Sequence, residues 1–478
     1  MYLGLDLGTS GLKAVLIDDS QCVVAEAIAP LAVSRPQDGW SEQSPADWIR
    51  ATEIVMAELP AEGRAALRGI GLSGQMHGAT LLDSADDVLR PCILWNDSRA
   101  HAEAAALDAD PRFRAVTGNI VFPGFTAPKL LWVRTHEPRL FSRVARVLLP
   151  KDYLRLWLTG EHVSEMSDAA GTSWLDTGAR AWSEALLAAT GLPLSAMPRL
   201  VEGSEVSGQV RPEIAMRFGI PRDVIVAGGA GDNAAAGIGV GVVSAGQAFV
   251  SLGTSGVLFA ASDGYRPDAA TAIHTFCHAL PDSWHQMGVI LAASDALNWF
   301  ARLAGRDAAT LTGALGPLEP PGKTCFLPYL GGERTPLNDA AIRGAFIGLE
   351  HATDREAATR AVLEGVAFAI RDCRDALAAA GTRIERLVAV GGGSRSDYWL
   401  SVIATALATP VSVPVSGDFG AAFGAARLAV MAATGAGTAI ATPPPIARTL
   451  EPQARMLSAF DDGYARFKAA QAAIADLT

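Results

Sequence analysis

The chain has 478 residues, 50% hydrophobic and 19% charged, with a formal net charge of −11. That apolar content excludes a disordered chain, and the length suits two domains of roughly 200 residues or more. The acidic balance argues against nucleic acid or an anionic membrane as partner, and five scattered cysteines with no CxxC pair argue against a disulfide scaffold and for a reduced, cytoplasmic protein.

Along the chain, residues 3–7, 12–17 and 22–29 read as strands, and the short run before Asp6 lacks the charged and apolar regions of a secretory leader. Ser44-Pro45 opens a helix with Ser44 as its cap, and Trp48, Ile49, Ile54, Val55 and Leu59 recur at helical spacing. A strand at 70–73 ends in Gly74-Gln75-Met76-His77-Gly78, a loop expected to be flexible enough to wrap a small polar ligand, and a strand at 79–82 follows. Residues 99–182 mix helices with Trp- and Pro-containing loops, as an insertion lining a cleft would. A buried strand at 224–227 leads into Gly228-Gly229-Ala230-Gly231-Asp232-Asn233 and an Ala/Gly-rich helix. The stretch 233–262 carries no charged side chain, yet its six glycines and its polar turn fit buried strands better than a membrane span. The domain boundary is placed near 241–246, giving domains 1–243 and 244–478. Hairpin strands at 247–260 come next, then helices at 294–303 and 355–380. A strand at 387–390 enters Gly391-Gly392-Gly393-Ser394, and helices at 398–408, 421–433 and 456–472 follow, the last expected on the surface.

One pentapeptide occurs twice, as Leu7-Gly8-Thr9-Ser10-Gly11 and Leu252-Gly253-Thr254-Ser255-Gly256, each time between apolar strand-like runs. Such a turn can offer backbone N–H groups and two hydroxyls to a phosphate chain, because glycine lets the backbone come close. Two like-folded α/β domains with ATP between them are the reading. Asp6 precedes the first turn, and a carboxylate beside phosphates is repulsive unless a divalent cation intervenes, so Asp6 reads as a Mg²⁺ ligand, with a turn cap as the alternative. Lys13 faces either a phosphate or solvent. Asp232 lies after a strand end, where ligands meet open α/β sheets, and reads equally as a general base or as a helix N-cap. His274, Cys277, His278 and His285 superficially resemble zinc ligands, but their strand-like spacing favours structural or solvent-facing roles.

Three other glycine loops compete for the nucleotide. Gly316 to Thr324 has one residue too many for a P-loop and three prolines, which lack amide donors. Gly229-Ala230-Gly231-Asp232-Asn233-Ala234 fits a dinucleotide-binding GxGxxA, the mark of an NAD-dependent dehydrogenase, but no acid follows it before residue 263. Gly391-Gly392-Gly393-Ser394-Arg395-Ser396 lacks that spacing and suits a shelf for adenosine.

These segments carry a resemblance. Gly4-Leu5-Asp6-Leu7-Gly8-Thr9-Ser10-Gly11, Gly74-Gln75-Met76-His77-Gly78, Leu94-Trp95-Asn96-Asp97-Ser98-Arg99, Pro123-Gly124-Phe125-Thr126-Ala127-Pro128-Lys129, Leu149-Pro150-Lys151-Asp152-Tyr153, Ser167-Asp168-Ala169-Ala170-Gly171-Thr172, Gly231-Asp232-Asn233 and Gly332-Glu333-Arg334-Thr335-Pro336 together resemble the FGGY carbohydrate kinases over nearly the whole length. The resemblance implies two actin/hexokinase-like (ribonuclease H-like) α/β domains with an interdomain catalytic cleft, and transfer of the ATP γ-phosphoryl group to a sugar. The Gln-Met-His-Gly turn points to O5 of D-xylulose; ribulose, fuculose, ribitol and arabinitol are the alternatives. It further implies that Asp232 is the general base and that Asp6 organises Mg²⁺. Gly8, Thr9, Ser10, Lys13, Gly253 and Thr254 would hold phosphates, and Gly392, Gly393 and Ser396 would flank the adenosine. Met76 (through its backbone), His77, Asp232 and Asn233 would hold the ketose. Glycerol kinases of the family have Arg-Glu in place of Met76-His77 and an aromatic clamp near Gly124, whose absence would leave room for a longer sugar. The family also leads to the expectation of a cytoplasmic homodimer.

Overall fold

Each of the two Gly-Thr-Ser-Gly turns closes an antiparallel hairpin, and each hairpin heads its own sheet in the computed structural model, which describes residues 1–415 and 419–474. The first sheet runs Val206–Gln209, Ile225–Ala227, Gly69–Gly74, Tyr2–Leu7, Gly11–Ile17, Val23–Pro30. The second runs His274–Cys277, Trp284–Ile290, Gly256–Ser262, Gly246–Leu252, Ile384–Val390, Val411–Pro414, Ile446–Leu450. In both, the strand before the turn pairs antiparallel with the strand after it and parallel with a later strand: Gly69–Gly74 beside Tyr2–Leu7, and Ile384–Val390 beside Gly246–Leu252. The repeat in sequence is therefore a repeat in topology. Leu3, Leu5 and Leu7 are fully buried, as are Val250 and Leu252, which fits strands covered on both faces by helices.

The helix Pro45–Glu58 covers the first sheet through Trp48, Val55 and Met56. Ser44 makes no side-chain cap bond there, contrary to expectation; Pro45 starts the helix through its fixed φ and its absent N–H. The insertion forms the helices His101–Asp108, Pro111–Thr117 and Thr126–His136 around an apolar cluster of its own. It docks on the edge of the second sheet: Asn119 Nδ2 donates to Thr275 O (2.9 Å), Thr275 N donates back to Asn119 Oδ1 (2.9 Å), and Trp284 Nε1 donates to Thr177 O (2.9 Å).

A small-residue helix, Ala421–Thr434, comes late in the chain yet packs on the first sheet. A Cβ at Gly4 would lie 1.8 Å from Ala422 O, one at Gly71 1.8 Å from Ala425 O, and one at Gly424 1.8 Å from Ala235 O in the helix Asp232–Val240. No side chain fits at those contacts. Arg427 ties the two helices by donating to Ile238 O (2.9 Å) and Gly239 O (3.1 Å). The last helix, Leu457–Ile474, departs from its expected surface position: Phe460 and Phe467 are fully buried in the second core, and Gln471 Nε2 donates to Tyr329 Oη (2.6 Å). Among the described residues no helix is long and apolar enough to cross a membrane.

Candidate active site

The central strand Gly69–Gly74 brings two carboxylates together. Asp6 pairs across to Ser73 on one side, and Ala230–Gly231 pairs with Ser73 and Gly74 on the other, so Asp232 emerges beside Asp6 at one strand end. Ser73 Oγ donates to Asp6 Oδ1 (2.9 Å). No backbone amide among the described residues donates to the Asp6 carboxylate, so it is not a turn cap. Burial raises its pKa, against the lowering effects of the Ser73 bond and the Lys13 charge. Asp232 is not the helix cap either; Gly231 holds that position. Asp232 Oδ1 accepts from Asn233 N (2.7 Å) and Asn233 Nδ2 (3.0 Å). Burial first, and the negative charge of Asp6 second, push the Asp232 carboxyl up to about 7. A carboxylate tuned to the working pH can both take and hold a proton.

Met76 and His77 form the wall next to this pair. The expectation of a flexible loop fails: His77 sits at φ +69°, stacked on Phe125 with ring centroids 4.5 Å apart, and His77 Nδ1 donates to Gly171 O at 2.6 Å. Burial drops its pKa to about 3, so the ring is neutral, and with the proton on Nδ1 its Nε2 is left as an acceptor. A Cβ at Gly171 would lie 2.5 Å from the imidazole, and one at Gly231 would lie 2.9 Å from Met76 Sδ, so both glycines exist to admit this pair. Phe125, next to Gly124, spends its face on His77. The strained His77 carbonyl is held from behind by the buried Lys129, whose Nζ donates to His77 O (2.7 Å) and Gly124 O (2.7 Å), and by Thr126 Oγ1 (3.2 Å). Burial lowers Lys129 to about 7.

A buried charge network underpins the Asp232 loop, a role that sequence reading did not assign. Lys151 Nζ lies 2.9 Å from Asp152, 3.2 Å from Glu165 and 2.9 Å from Asp168. Arg155 donates to Ala227 O (2.7 Å) and Gly228 O (2.6 Å), and Ser167 Oγ accepts from Gly231 N (3.0 Å). All of these side chains are withdrawn from water, so the loop's carbonyls and amide answer to partners that cannot relax. Burial holds Asp168 well above the ordinary carboxylate range, partly countered by Lys151. Lys151 and Asp152 are neighbours on the helix Pro150–Thr159, but nothing local says that Glu165 and Asp168, on two further elements, converge on them.

The phosphate-type turns differ in what they leave open. In the first, Gly8 N donates to Gly11 O (3.0 Å), and the Thr9 hydroxyl is engaged by Gln75 Oε1 (3.2 Å) and Trp95 Nε1 (2.9 Å) instead of pointing freely into the cleft. Ser10 is exposed, and Lys13 Nζ is ion-paired with Glu26 at 3.0 Å. In the second, the carbonyls of Gly253 and Thr254 accept from Ser294 N (2.9 Å) and Ala293 N (2.8 Å). The start of the helix Ser294–Leu303 is thereby fixed against the turn. Gly391, at φ +85°, packs on Leu252, where a Cβ would lie 3.0 Å from backbone atoms. Gly392, Gly393 and Ser396 line an open cavity of ≈ 640 Å³ with Ser294, Leu297 and Asn298. That is room enough for a nucleoside. The structure thus gathers Asp6, Met76, His77, Asp232 and Asn233 about one strand end in the first domain, and Gly253, Thr254, Gly392, Gly393 and Ser396 in the second.

The P-loop-like segment and the histidine cluster are engaged elsewhere. Lys323 is exposed and paired with Glu350 (2.8 Å), while Pro321 O and Gly322 O accept from Arg466. His278 Nε2 is hydrogen-bonded to Val242 O (3.0 Å), and His285 stacks on Phe259 at 4.4 Å. Among the described residues no group of three or more His, Cys, Asp or Glu could hold a metal ion unaided. The neighbouring carboxylates of Asp6 and Asp232 do fit Mg²⁺ delivered with a nucleotide, since that ion commonly takes one or two carboxylates and completes its shell with phosphate and water.

Paired carboxylates at a strand end in one domain, with an open glycine-walled cavity in the other, suit a two-domain phosphotransferase. The model for the FGGY family of carbohydrate kinases, N-terminal domain, matches residues 1–239, and that for the C-terminal domain matches 248–433. The chain belongs to the FGGY family of carbohydrate kinases, enzymes that phosphorylate a sugar with ATP. It is 49% identical over 408 residues to the xylulose kinase of Escherichia coli (strain K12), covering 84% of each chain. A crystal structure of a xyloylose kinase from Brucella ovis superposes with a TM-score of 0.99 at 62% identity over 100% of both chains. The xylulose kinase of Rhodospirillum rubrum does so with a TM-score of 0.94 at 31% identity, over 100% of this chain and 99% of that one.

Proposed function

We propose that this chain transfers the γ-phosphoryl group of ATP to O5 of D-xylulose, with Asp232 as general base. The observation that carries the reading is the Asp232 carboxyl, pushed up to about 7 and lying between the Met76–His77 wall and Asp6. The identity to xylulose kinases over most of the chain supports the choice of sugar. Met76 (through its backbone), His77 Nε2 and Asn233 hold the ketose so that the O5 hydroxyl faces Asp232. Asp232 accepts that proton as the oxygen attacks phosphorus in line, and the ADP oxygen leaves on the far side. Such transfer depends mainly on positioning and charge neutralisation. The two turns (Gly8, Thr9, Ser10; Gly253, Thr254) hold the phosphate chain, with Gly8 giving close backbone approach while its own amide closes the turn on Gly11 O, Lys13 adds positive charge, and Gly392, Gly393 and Ser396 hold the adenosine. Mg²⁺, held through Asp6 and the phosphates, would neutralise charge on the transferring group. The working divisions are 1–243 and 244–478, and the enzyme acts as a cytoplasmic homodimer.

The test is ADP release coupled to a dehydrogenase signal, compared across D-xylulose, ribulose, fuculose, ribitol, arabinitol and glycerol. D-xylulose should give the highest kcat/KM by at least tenfold. A higher value for any other member of the panel would reassign the substrate.

A further inference from the structure

The second domain carries an arginine that the reaction just described does not use. Arg334 stands in Gly332-Glu333-Arg334-Thr335-Pro336, a loop riveted to the second sheet. Thr335 N donates to Val289 O (3.0 Å), Thr335 Oγ1 accepts from Val289 N (3.0 Å), and Thr335 Oγ1 donates to Ala272 O (3.1 Å). The neighbouring carboxylate turns one oxygen to backbone amides, Glu333 Oε1 accepting from Leu291 N (2.9 Å) and Arg334 N (2.7 Å), while its Oε2 is buried without a hydrogen-bond partner. Among the described residues the Arg334 guanidinium has no ion-pair or hydrogen-bond acceptor. It reaches across the cleft instead, 4.6 Å over the ring of Phe122 in the insertion of the first domain.

That position is the rim of the His77 wall. Phe122 lies 5.6 Å from Phe125, on which His77 stacks, and 5.3 Å from His274 of the second sheet. The Arg334 charge is near enough to help depress both His77 and His274. Through Phe122 and His274 it belongs to the insertion side of this wall, whereas Asp6 and Asp232 sit at the end of the strand Gly69–Gly74. His274 Nδ1 in the same wall is buried with no hydrogen-bond partner. A half-buried cation without an acceptor, beside an unsatisfied imidazole nitrogen, is costly unless a polar ligand completes both.

We propose that Arg334 is a specificity-determining residue that crosses from the second domain and donates hydrogen bonds to the sugar oxygens at the end remote from the phosphorylated hydroxyl. The inference rests on the placing of the ketose against His77. A forked guanidinium suits two adjacent oxygens, such as a carbonyl and its neighbouring hydroxyl. One sugar would then be held by both domains at once, and its binding would favour the closed cleft.

Steady-state kinetics on Arg334→Met, Arg334→Lys and His77→Asn test this, with D-xylulose and ATP varied separately. Arg334→Met should raise the KM for D-xylulose about 10- to 100-fold, the loss of a charge-assisted pair, with the KM for ATP within about twofold and the thermal midpoint near the parent's. Arg334→Lys should recover part of the loss. An unchanged sugar KM in Arg334→Met, while His77→Asn weakens the sugar, would overturn the inference alone. An unchanged sugar KM in both would overturn the placing of the sugar as well. A rise confined to the KM for ATP would put the guanidinium on the phosphates and also overturn it. Should Arg334→Met not fold, Arg334→Lys carries the test, because it keeps the charge over Phe122 and loses only the fork.

Discussion

At the residue scale the proposed chemistry turns on two acids that share one strand end. Asp232→Asn removes the proton acceptor while keeping the hydrogen-bonding shape, so kcat should fall by about 10²- to 10⁴-fold with the thermal midpoint unchanged; near-normal turnover would remove Asp232 from the mechanism. The sign of the pH dependence follows from the raised carboxyl. The base must be ionised to act, so in metal-free enzyme the ionised fraction falls roughly tenfold per pH unit below about 7. Burial is the larger cause and Asp6 the next, so Asp6→Asn should move the Asp232 titration to lower pH but not to the ordinary aspartate value. Carboxyl-carbon NMR of the two proteins would measure this. No shift, or a shift upward, would mean that the two acids do not face each other. What the residues alone disclosed was also limited at this scale. Asp6 and Asp232 stood out because each abuts a glycine turn, a local signal. The neutral, wedged state of His77 depends on Gly171, 94 positions away, and the free guanidinium of Arg334 depends on where Glu333 turns its oxygens. Neither arrangement is readable without the fold.

At the element scale the packing of the helices Asp232–Val240 and Ala421–Thr434 links the fold to the proposed catalysis, because the first of them begins at Asp232, the proposed base. Gly424 admits that contact. Gly424→Ala would gain up to about 1 kcal/mol of helix propensity, but its Cβ would lie 1.8 Å from Ala235 O, and such overpacking typically costs about 1–3 kcal/mol. The clash should win: a lower thermal midpoint, together with a reduced kcat as the start of the helix shifts. A variant as stable and as active as the parent would show that the two helices do not bear on each other so closely. The hairpins, the strand before the Met76 loop and the helix Ser294–Leu303 were legible from periodicity and turn residues. The buried final helix was not, since its alanine-rich sequence shows polar residues on one side, and only the partners Tyr329 and Asp372 explain why Gln471 and Tyr464 point inward.

At the scale of the whole molecule, two like sheets face each other across a cleft, and the insertion already touches the second sheet through Asn119 and Thr275. The apolar cluster there takes Met76, Phe122 and Phe125 from one half and Phe259, Phe276 and Met287 from the other. The Met76–His77 side of the cleft is thus bridged, while the cavity at Gly392 and Gly393 stays open. The duplication was visible as a repeated pentapeptide; the bridge was not, because an aromatic cluster assembled from residues so far apart in sequence has no local pattern. The central claim is that Asp232 meets the sugar hydroxyl while both domains hold the reactants. A crystal structure with D-xylulose and a non-hydrolysable ATP analogue tests it most directly. The account predicts O5 within about 2.6–3.2 Å of an Asp232 carboxylate oxygen, facing the terminal phosphate, with the adenosine beside Gly392 and Gly393. A sugar bound away from Asp232, or a nucleotide lodged outside the Gly392–Gly393 cavity, would contradict it.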